Sequence, residues 1–212
     1  MTHEAVATAF APATFFAVAA ARLHHEAPQA AATGGGDHVM NAGLTVAEDY
    51  REAAVLIPVV AREPEATVIL TQRTAHLPSH AGQIAFPGGK IDPGDDGPAA
   101  AAVREAEEEI GLERRHIGLV GYLDPYLSRT GYRIVPVLGR IEPDYSLNLN
   151  RAEVEEAFEV PLSFLLDPAN HKRASRVFFG RERYFYEMPF GDRYIWGVTA
   201  GIIRALYEQV IA

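Results

Sequence analysis

The chain has 212 residues, 48% of them hydrophobic and 22% charged, with no cysteine and a formal net charge of −9 at pH 7. That length and balance suit one globular domain with a sizeable core, and they exclude disulfides, thiolate metal sites and a cysteine nucleophile. The acidic balance argues against sequence-independent nucleic-acid binding, and no apolar run reaches the roughly 18 residues that suggest a membrane span.

Residues 1–21 are rich in Ala and Phe, but Glu4 precedes any basic residue and Pro12 interrupts the apolar stretch. They read as a packed helix or arm rather than a secretory leader, and a cytoplasmic location is expected. The loop Gly34-Gly35-Gly36-Asp37 follows. Residues 1–50 together read as a helical N-terminal extension that packs on the sheet or mediates a homodimer, and residues 51–212 as the main domain. From Ala53 the pattern becomes β-branched: residues 53–60 and 67–71, around the polar turn 62–65, predict a hairpin. Residues 84–86 form a brief strand ending at Pro87-Gly88-Gly89, and residues 90–97 a loop rich in Asp, Gly and Pro.

A helix is predicted over residues 98–110, with Pro98 at the first helical position, Asp96 or Gly97 as cap and Gly111 as stop. Residues 117–123 and 132–141 predict strands, and 161–166 a short helical turn. Residues 176–179 with 184–188 predict a second hairpin, and 196–210 a closing amphipathic helix. Mixed strands with two well-placed helices predict an α/β or α+β sandwich.

The segment that carries chemistry is Arg104-Glu105-Ala106-Glu107-Glu108-Glu109-Ile110-Gly111-Leu112. Positions three and four apart share a helix face, so Glu105, Glu108 and Glu109 converge while Glu107 points elsewhere. Like charges on one face, near a helix C-terminus, destabilise it. A solvated acidic face is one reading of this pattern. A shared divalent cation is the other, because it would relieve both penalties, and hard oxygen donors suit Mg²⁺ or Mn²⁺. Gly88 and Gly89 would let the backbone approach such a cation, with a carbonyl at Gly89 as a further donor. Arg104 can pair with Glu108 at i,i+4, or reach back to Asp95 or Asp96 and tie the acidic loop to the helix.

Residues 104–112 resemble the second half of the Nudix box, Arg-Glu-apolar-x-Glu-Glu-x-Gly-apolar, at every position. The first half departs from it. Six residues after Gly89 stands Asp95 rather than Glu, and eight residues rather than seven then precede Arg104. The segment from Ile69 to Gly89, with Arg73, His80-Ala81-Gly82-Gln83 and Phe86-Pro87-Gly88-Gly89, is similar to the extra motif of the coenzyme A pyrophosphatase branch, which shares the longer, Asp-containing loop. Thr74 stands where Ser or Ala is usual, and Pro78 where Arg is usual. Trp196-Gly197-Val198-Thr199-Ala200 also looks like this branch, and the resemblance spans residues 53–211.

The resemblance implies an α/β/α sandwich around a mixed sheet and attack of water on a diphosphate. The implied substrate is coenzyme A or a thioester of it, and the cofactor Mg²⁺ or Mn²⁺. Glu105 and Glu109, one turn apart, are the first expected metal ligands and Glu108 the third. The general base is Glu105 or Glu153, the latter in Arg151-Ala152-Glu153 after the central strands; an ordinary acidic strand start explains Glu153 equally well. Arg73, His80 and Lys90 are expected substrate contacts, although a structural histidine and a solvated lysine are the plainer readings of the last two. Tyr126, Arg129 and Tyr132 are placed in a loop on the adenine side, and Trp196 reads as a core residue rather than a base-stacking platform. The box is shared by hydrolases of ADP-ribose, dinucleotides and oxidised nucleotides, and an inactive ligand sensor is a further alternative.

Overall fold

The structure is a computed structural model that describes residues 9–29, 35–41, 49–178 and 180–212. Residues 1–8, Gly34 and Phe179, which belong to the predicted N-terminal helix, glycine loop and second hairpin, lie outside the described residues. Five α-helices are described: α1 (Pro12–Arg22), α2 (Asp37–Met40), α3 (Gly97–Ile110), α4 (Leu162–Leu165) and α5 (Gly197–Val210). No helix among these residues is long and apolar enough to cross a membrane.

The expected first hairpin forms from β1 (Arg51–Val60) and β2 (Thr67–Arg73), with Val60 opposite Thr67. β1 then runs parallel to β7 (Tyr132–Ile141) along its whole length, from Arg51 opposite Tyr132 to Val60 opposite Ile141. The other pairings in this sheet are antiparallel: β2 with β3 (Ile84–Ala85) and β8 (Val154–Pro161), β1 with β4 (Gly88–Lys90), and β7 with β5 (Ile117–Tyr122) and β6 (Tyr126–Leu127). The sheet is therefore mixed, and alternation along β1 sends side chains to two cores. Ala54, Leu56 and Val60 meet Ala102, Ala106 and Ile110 of α3 on one face. Ile57 and Val59 belong to the core on the other face, which also holds Phe15 and Ala19 of α1 and Ile203 and Leu206 of α5. Helices on both faces of a mixed sheet make the predicted α/β/α sandwich.

Two local expectations are corrected. Gly88 and Gly89, expected to end the 84–86 strand, and Lys90, expected to open the loop, together form a short strand paired with β1. The second hairpin is a three-stranded sheet of β9 (Lys172–Phe178), β10 (Arg181–Phe190) and β11 (Arg193–Trp196), so Trp196 ends a strand and α5 begins at Gly197. The glycine there takes φ +63, which lets the chain turn from strand into helix without a Cβ clash.

Strand β8 is not legible from propensity, because Glu155, Glu156 and Glu159 lower its β tendency. Cross-strand pairing overrides that. Glu159 accepts hydrogen bonds from Arg62 at 2.6 and 2.7 Å, from Tyr145 at 2.6 Å and from Thr67, while Glu156 accepts one from Arg193 at 2.5 Å. Burial pushes the Glu159 carboxyl up, but the donors of Arg62, Thr67 and Tyr145 outweigh it and hold it down at about 2. A folded-state value below the unfolded one of about 4.3 stabilises the fold above that pH, and the gain is lost as pH falls toward 2. Glu159→Gln is therefore expected to destabilise the protein by about 1–3 kcal/mol at pH 7, with the gap to wild type closing in acid. Chemical denaturation at pH 7 and pH 3 measures this, and a gap independent of pH would contradict it.

Candidate active site

Helix α3 is fixed at both ends by the loops that the chemistry needs. At its C-terminus Gly111 takes φ +67, and a Cβ there would lie 2.8 Å from the Asn148 backbone, so this position admits only glycine. The last carbonyls of the helix, which have no partner within it, accept hydrogen bonds from the N–H groups of Asn148 (to Ile110) and Asn150 (to Glu109), both at 2.9 Å. That contact brings the 148–153 loop, and with it Glu153, against the acidic end of α3.

Arg104, midway along α3, latches the loop that precedes its other end. Its Nε and Nη2 donate to the two carboxylate oxygens of Asp95, both at 2.9 Å, and Nη2 also donates to the Lys90 carbonyl at 3.1 Å. Its Nη1 reaches Glu105 at 2.9 Å and Glu108 at 3.3 Å. The forked pairing identifies Asp95, not Asp96, as the loop acid, and the guanidinium pulls the Asp95 carboxyl down to about 2.

Glu105 and Glu109 face the Gly88–Gly89 backbone. The Gly88 N–H donates to Glu109 Oε2 at 3.2 Å, and a Cβ on Gly89 would stand 2.4 Å from the Glu105 carboxylate. Close approach to fixed backbone dictates glycine at position 88, where a Cβ would meet the Ala54 carbonyl oxygen at 2.4 Å. Glu109 is 4% exposed. Burial pushes its carboxyl up to about 7, the Gly88 N–H and Arg73 pull the other way, and the charges of Glu105 and Glu153 push with burial. Burial also raises Glu105, against Arg104, with Glu108 and Glu153 adding to the rise. Glu153 therefore belongs to the same electrostatic cluster. Glu108 stands apart, with its side chain 59% exposed at the rim.

Arg73, at the end of β2, comes within 3.6 Å of Glu109 and has a buried Nε without a partner among the described residues. The adjoining Thr74 is buried, its N–H donating to the Glu153 carbonyl at 2.9 Å and its hydroxyl to the Ala152 carbonyl at 3.3 Å. Thr74 thus joins the upstream motif to the Glu153 loop. His80 is exposed, takes φ +56, and is tied to Gln83 at 2.9 Å through Nδ1. Arg73, His80, Gly88, Gly89 and Lys90 all border one cleft of about 730 Å³.

The far walls of the cleft were only partly foreseen. Arg129 and Tyr132 line it, but only Arg129 sits in a loop: Tyr132 begins β7, and Tyr126 is buried in β6, its hydroxyl donating to Asp37 at 2.7 Å. Trp196 is half-buried and lines the cleft instead of lying in the core, with the Arg176 guanidinium 5.0 Å from its ring. Asp37, Asn41, Arg51 and Arg183 also border the cleft. No sequence motif marks them, because they are gathered from the N-terminal segment, the start of β1 and the second sheet.

Among the described residues no three His, Asp or Glu side chains are gathered tightly enough to cage a metal ion. The donor chemistry nevertheless fits a hard divalent cation. The carboxylates are all-oxygen donors, Glu109 is buried with too little positive charge beside it, and Mg²⁺ commonly completes its shell with water and substrate phosphate.

The NUDIX domain family model matches residues 50–179. The Nudix hydrolase NudL of Photorhabdus laumondii is 41% identical over 165 residues, covering 78% of this chain and 88% of that protein. NudL of Escherichia coli K12 is also 41% identical, over 162 residues, 76% of this chain and 84% of the relative. The solved structure of DR0079 from Deinococcus radiodurans, 14% identical with a TM-score of 0.50, covers 76% of this chain and 86% of that one, and supports the fold alone. The chain belongs to the Nudix hydrolase family, enzymes that hydrolyse nucleoside diphosphate derivatives.

Proposed function

We propose that residues 51–212 form the catalytic domain of a hydrolase that splits the diphosphate linkage of coenzyme A or its thioesters, using Mg²⁺ or Mn²⁺. The observation that carries this reading is the junction of the upstream segment with the acidic helix: Arg73 lies on Glu109, Thr74 on the Glu153 loop, and both glycines of the Phe86-Pro87-Gly88-Gly89 turn on Glu105 and Glu109. The branch-specific motif and the box therefore form one constellation at the edge of the cleft.

In this reading Glu105 and Glu109 hold the cation, with Glu108 and the Gly89 carbonyl completing its protein ligands. When bound, the cation screens the diphosphate and makes a water more acidic. Glu153, or Glu105, takes the proton as the water oxygen bonds to one phosphorus and the bond from that phosphorus to the bridging oxygen breaks. The bridging oxygen leaves with the other phosphate, giving adenosine 3′,5′-bisphosphate and 4′-phosphopantetheine or its acyl form. Arg73 and Lys90 neutralise phosphate oxygens, His80 borders the entering substrate, and Arg104 holds Asp95 and the glutamates in register.

The test is a substrate panel with one preparation and either cation: coenzyme A, NADH, ADP-ribose and 8-oxo-dGTP. Coenzyme A is expected to give the highest kcat/KM by at least about tenfold, about 1.4 kcal/mol in relative transition-state binding. A better rate with any of the other three would overturn the substrate, and ligand binding without turnover would favour a sensor.

A further inference from the structure

The cleft reverses the charge of the molecule that contains it. Its described lining carries five cations, Arg51, Arg73, Lys90, Arg129 and Arg183, against one acid, Asp37, in a chain of net charge −9. Arg73 and Lys90 stand beside Glu109 and Gly89. Among the described residues, none of the other three pairs with Glu105 or Glu109. Arg51 precedes Ala54, the partner of Gly89 across β1 and β4, by three residues, which is about 10 Å of strand at 3.3 Å per residue. That span is the scale of a nucleoside.

This second cationic corner is held in place by its neighbours. Arg51 donates to the Thr130 carbonyl at 3.0 Å and lies 4.0 Å over the Tyr132 ring. Arg129 adjoins Thr130 in that turn, its guanidinium 5.3 Å from the Phe178 ring. Asp37 does not neutralise either. Its Oδ1 accepts from the Tyr126 hydroxyl at 2.7 Å and its Oδ2 from the Arg129 backbone N–H at 2.8 Å, so the carboxylate fastens the turn and leaves the guanidinium free to face a ligand. No carboxylate among the described residues pairs with the side chain of Arg129 or Arg183.

We infer that Arg51, Arg129 and Arg183 form a second anion subsite that takes a phosphate monoester on the ribose of the substrate, with Asp37 as its positioning residue. Guanidinium groups suit this task because their forked donors match phosphate oxygens. The assignment deepens the coenzyme A reading and rests on it, since coenzyme A carries such a 3′-phosphate and ADP-ribose and NADH do not.

Coenzyme A and dephospho-coenzyme A, which differ only in that phosphate, separate the two claims. The wild-type enzyme is expected to show a KM at least about tenfold lower for coenzyme A. Arg129→Ala and Arg183→Ala should each raise that KM about tenfold with kcat within about twofold, and raise the KM for dephospho-coenzyme A far less. Asp37→Asn should act in the same direction, more weakly. An equal change with both substrates, or none with either, overturns the subsite while leaving the hydrolase reading intact. If neither substrate is hydrolysed, the coenzyme A reading falls. Calorimetry with adenosine 3′,5′-bisphosphate and AMP then decides the subsite: tighter binding of the bisphosphate, lost in Arg129→Ala, supports it, and equal binding rejects it.

Discussion

Glu109→Gln is expected to lower metal-dependent kcat by about 10³-fold or more, about 4 kcal/mol of barrier, while the protein stays folded. The two halves of that result have separate causes. Glu109 is the most buried carboxylate of the cluster, and its carboxyl is pushed up to about 7 because burial and two neighbouring glutamates outweigh the Gly88 N–H and Arg73. Such a group strains the fold at neutral pH unless a cation joins it. Glutamine keeps an acceptor for the Gly88 N–H and removes the buried charge, so the Tm should stay level or rise. Loss of the carboxylate removes the buried donor held by the Gly88 N–H and, in the proposed reading, the cation's anchor. Turnover measured against Mg²⁺ and Mn²⁺ concentration, beside a thermal melt, checks both halves. Wild-type turnover in the variant would sink the metal assignment.

Arg104→Ala is expected to cost about 10²-fold in kcat and about 1–3 kcal/mol in stability, the second figure reduced because the side chain is 27% exposed. One guanidinium serves Asp95, Glu105, Glu108 and the Lys90 carbonyl. Its removal leaves Asp95 without its fork and two glutamates repelling each other at the helix end. Arg104→Lys should recover only part of the loss, because an ammonium cannot span both oxygens of Asp95 as the fork does. The signature that separates a positioning role from a fold defect is a higher cation concentration for half-maximal rate with little change in substrate KM. Glu107→Gln is the control: Glu107 is exposed on the opposite side, and its replacement should leave both quantities unchanged.

Most of the local architecture was readable because single-element signals were strong. Helix α3 begins at Gly97, one residue before the expected Pro98 start, and ends at Ile110, where Gly111 stops it. The runs 53–60 and 132–141 lie within β1 and match β7. The failures share a cause. Strand β8 carries three glutamates, and only Arg62, Thr67, Tyr145 and Arg193 from elsewhere in the chain make that composition stable in a sheet. Trp196 looked like the first turn of a helix because nothing local reveals that β10 pairs with it.

The Arg104–Leu112 segment by itself determined the helix, its converging glutamates and the oxygen-donor chemistry, because helical spacing fixes which side chains share a face. What it could not determine was which of the three glutamates would be buried. The Gly88–Gly89 segment decided that: it packs on β1, donates its Gly88 N–H to Glu109 and lies against the Glu105 carboxylate, while Glu108 was left at the rim. Tertiary structure likewise decided the partner of Arg104, the approach of Glu153 and the charge of the cleft. Each depends on segments tens of residues apart meeting across the sheet, and sequence spacing carries no record of that geometry.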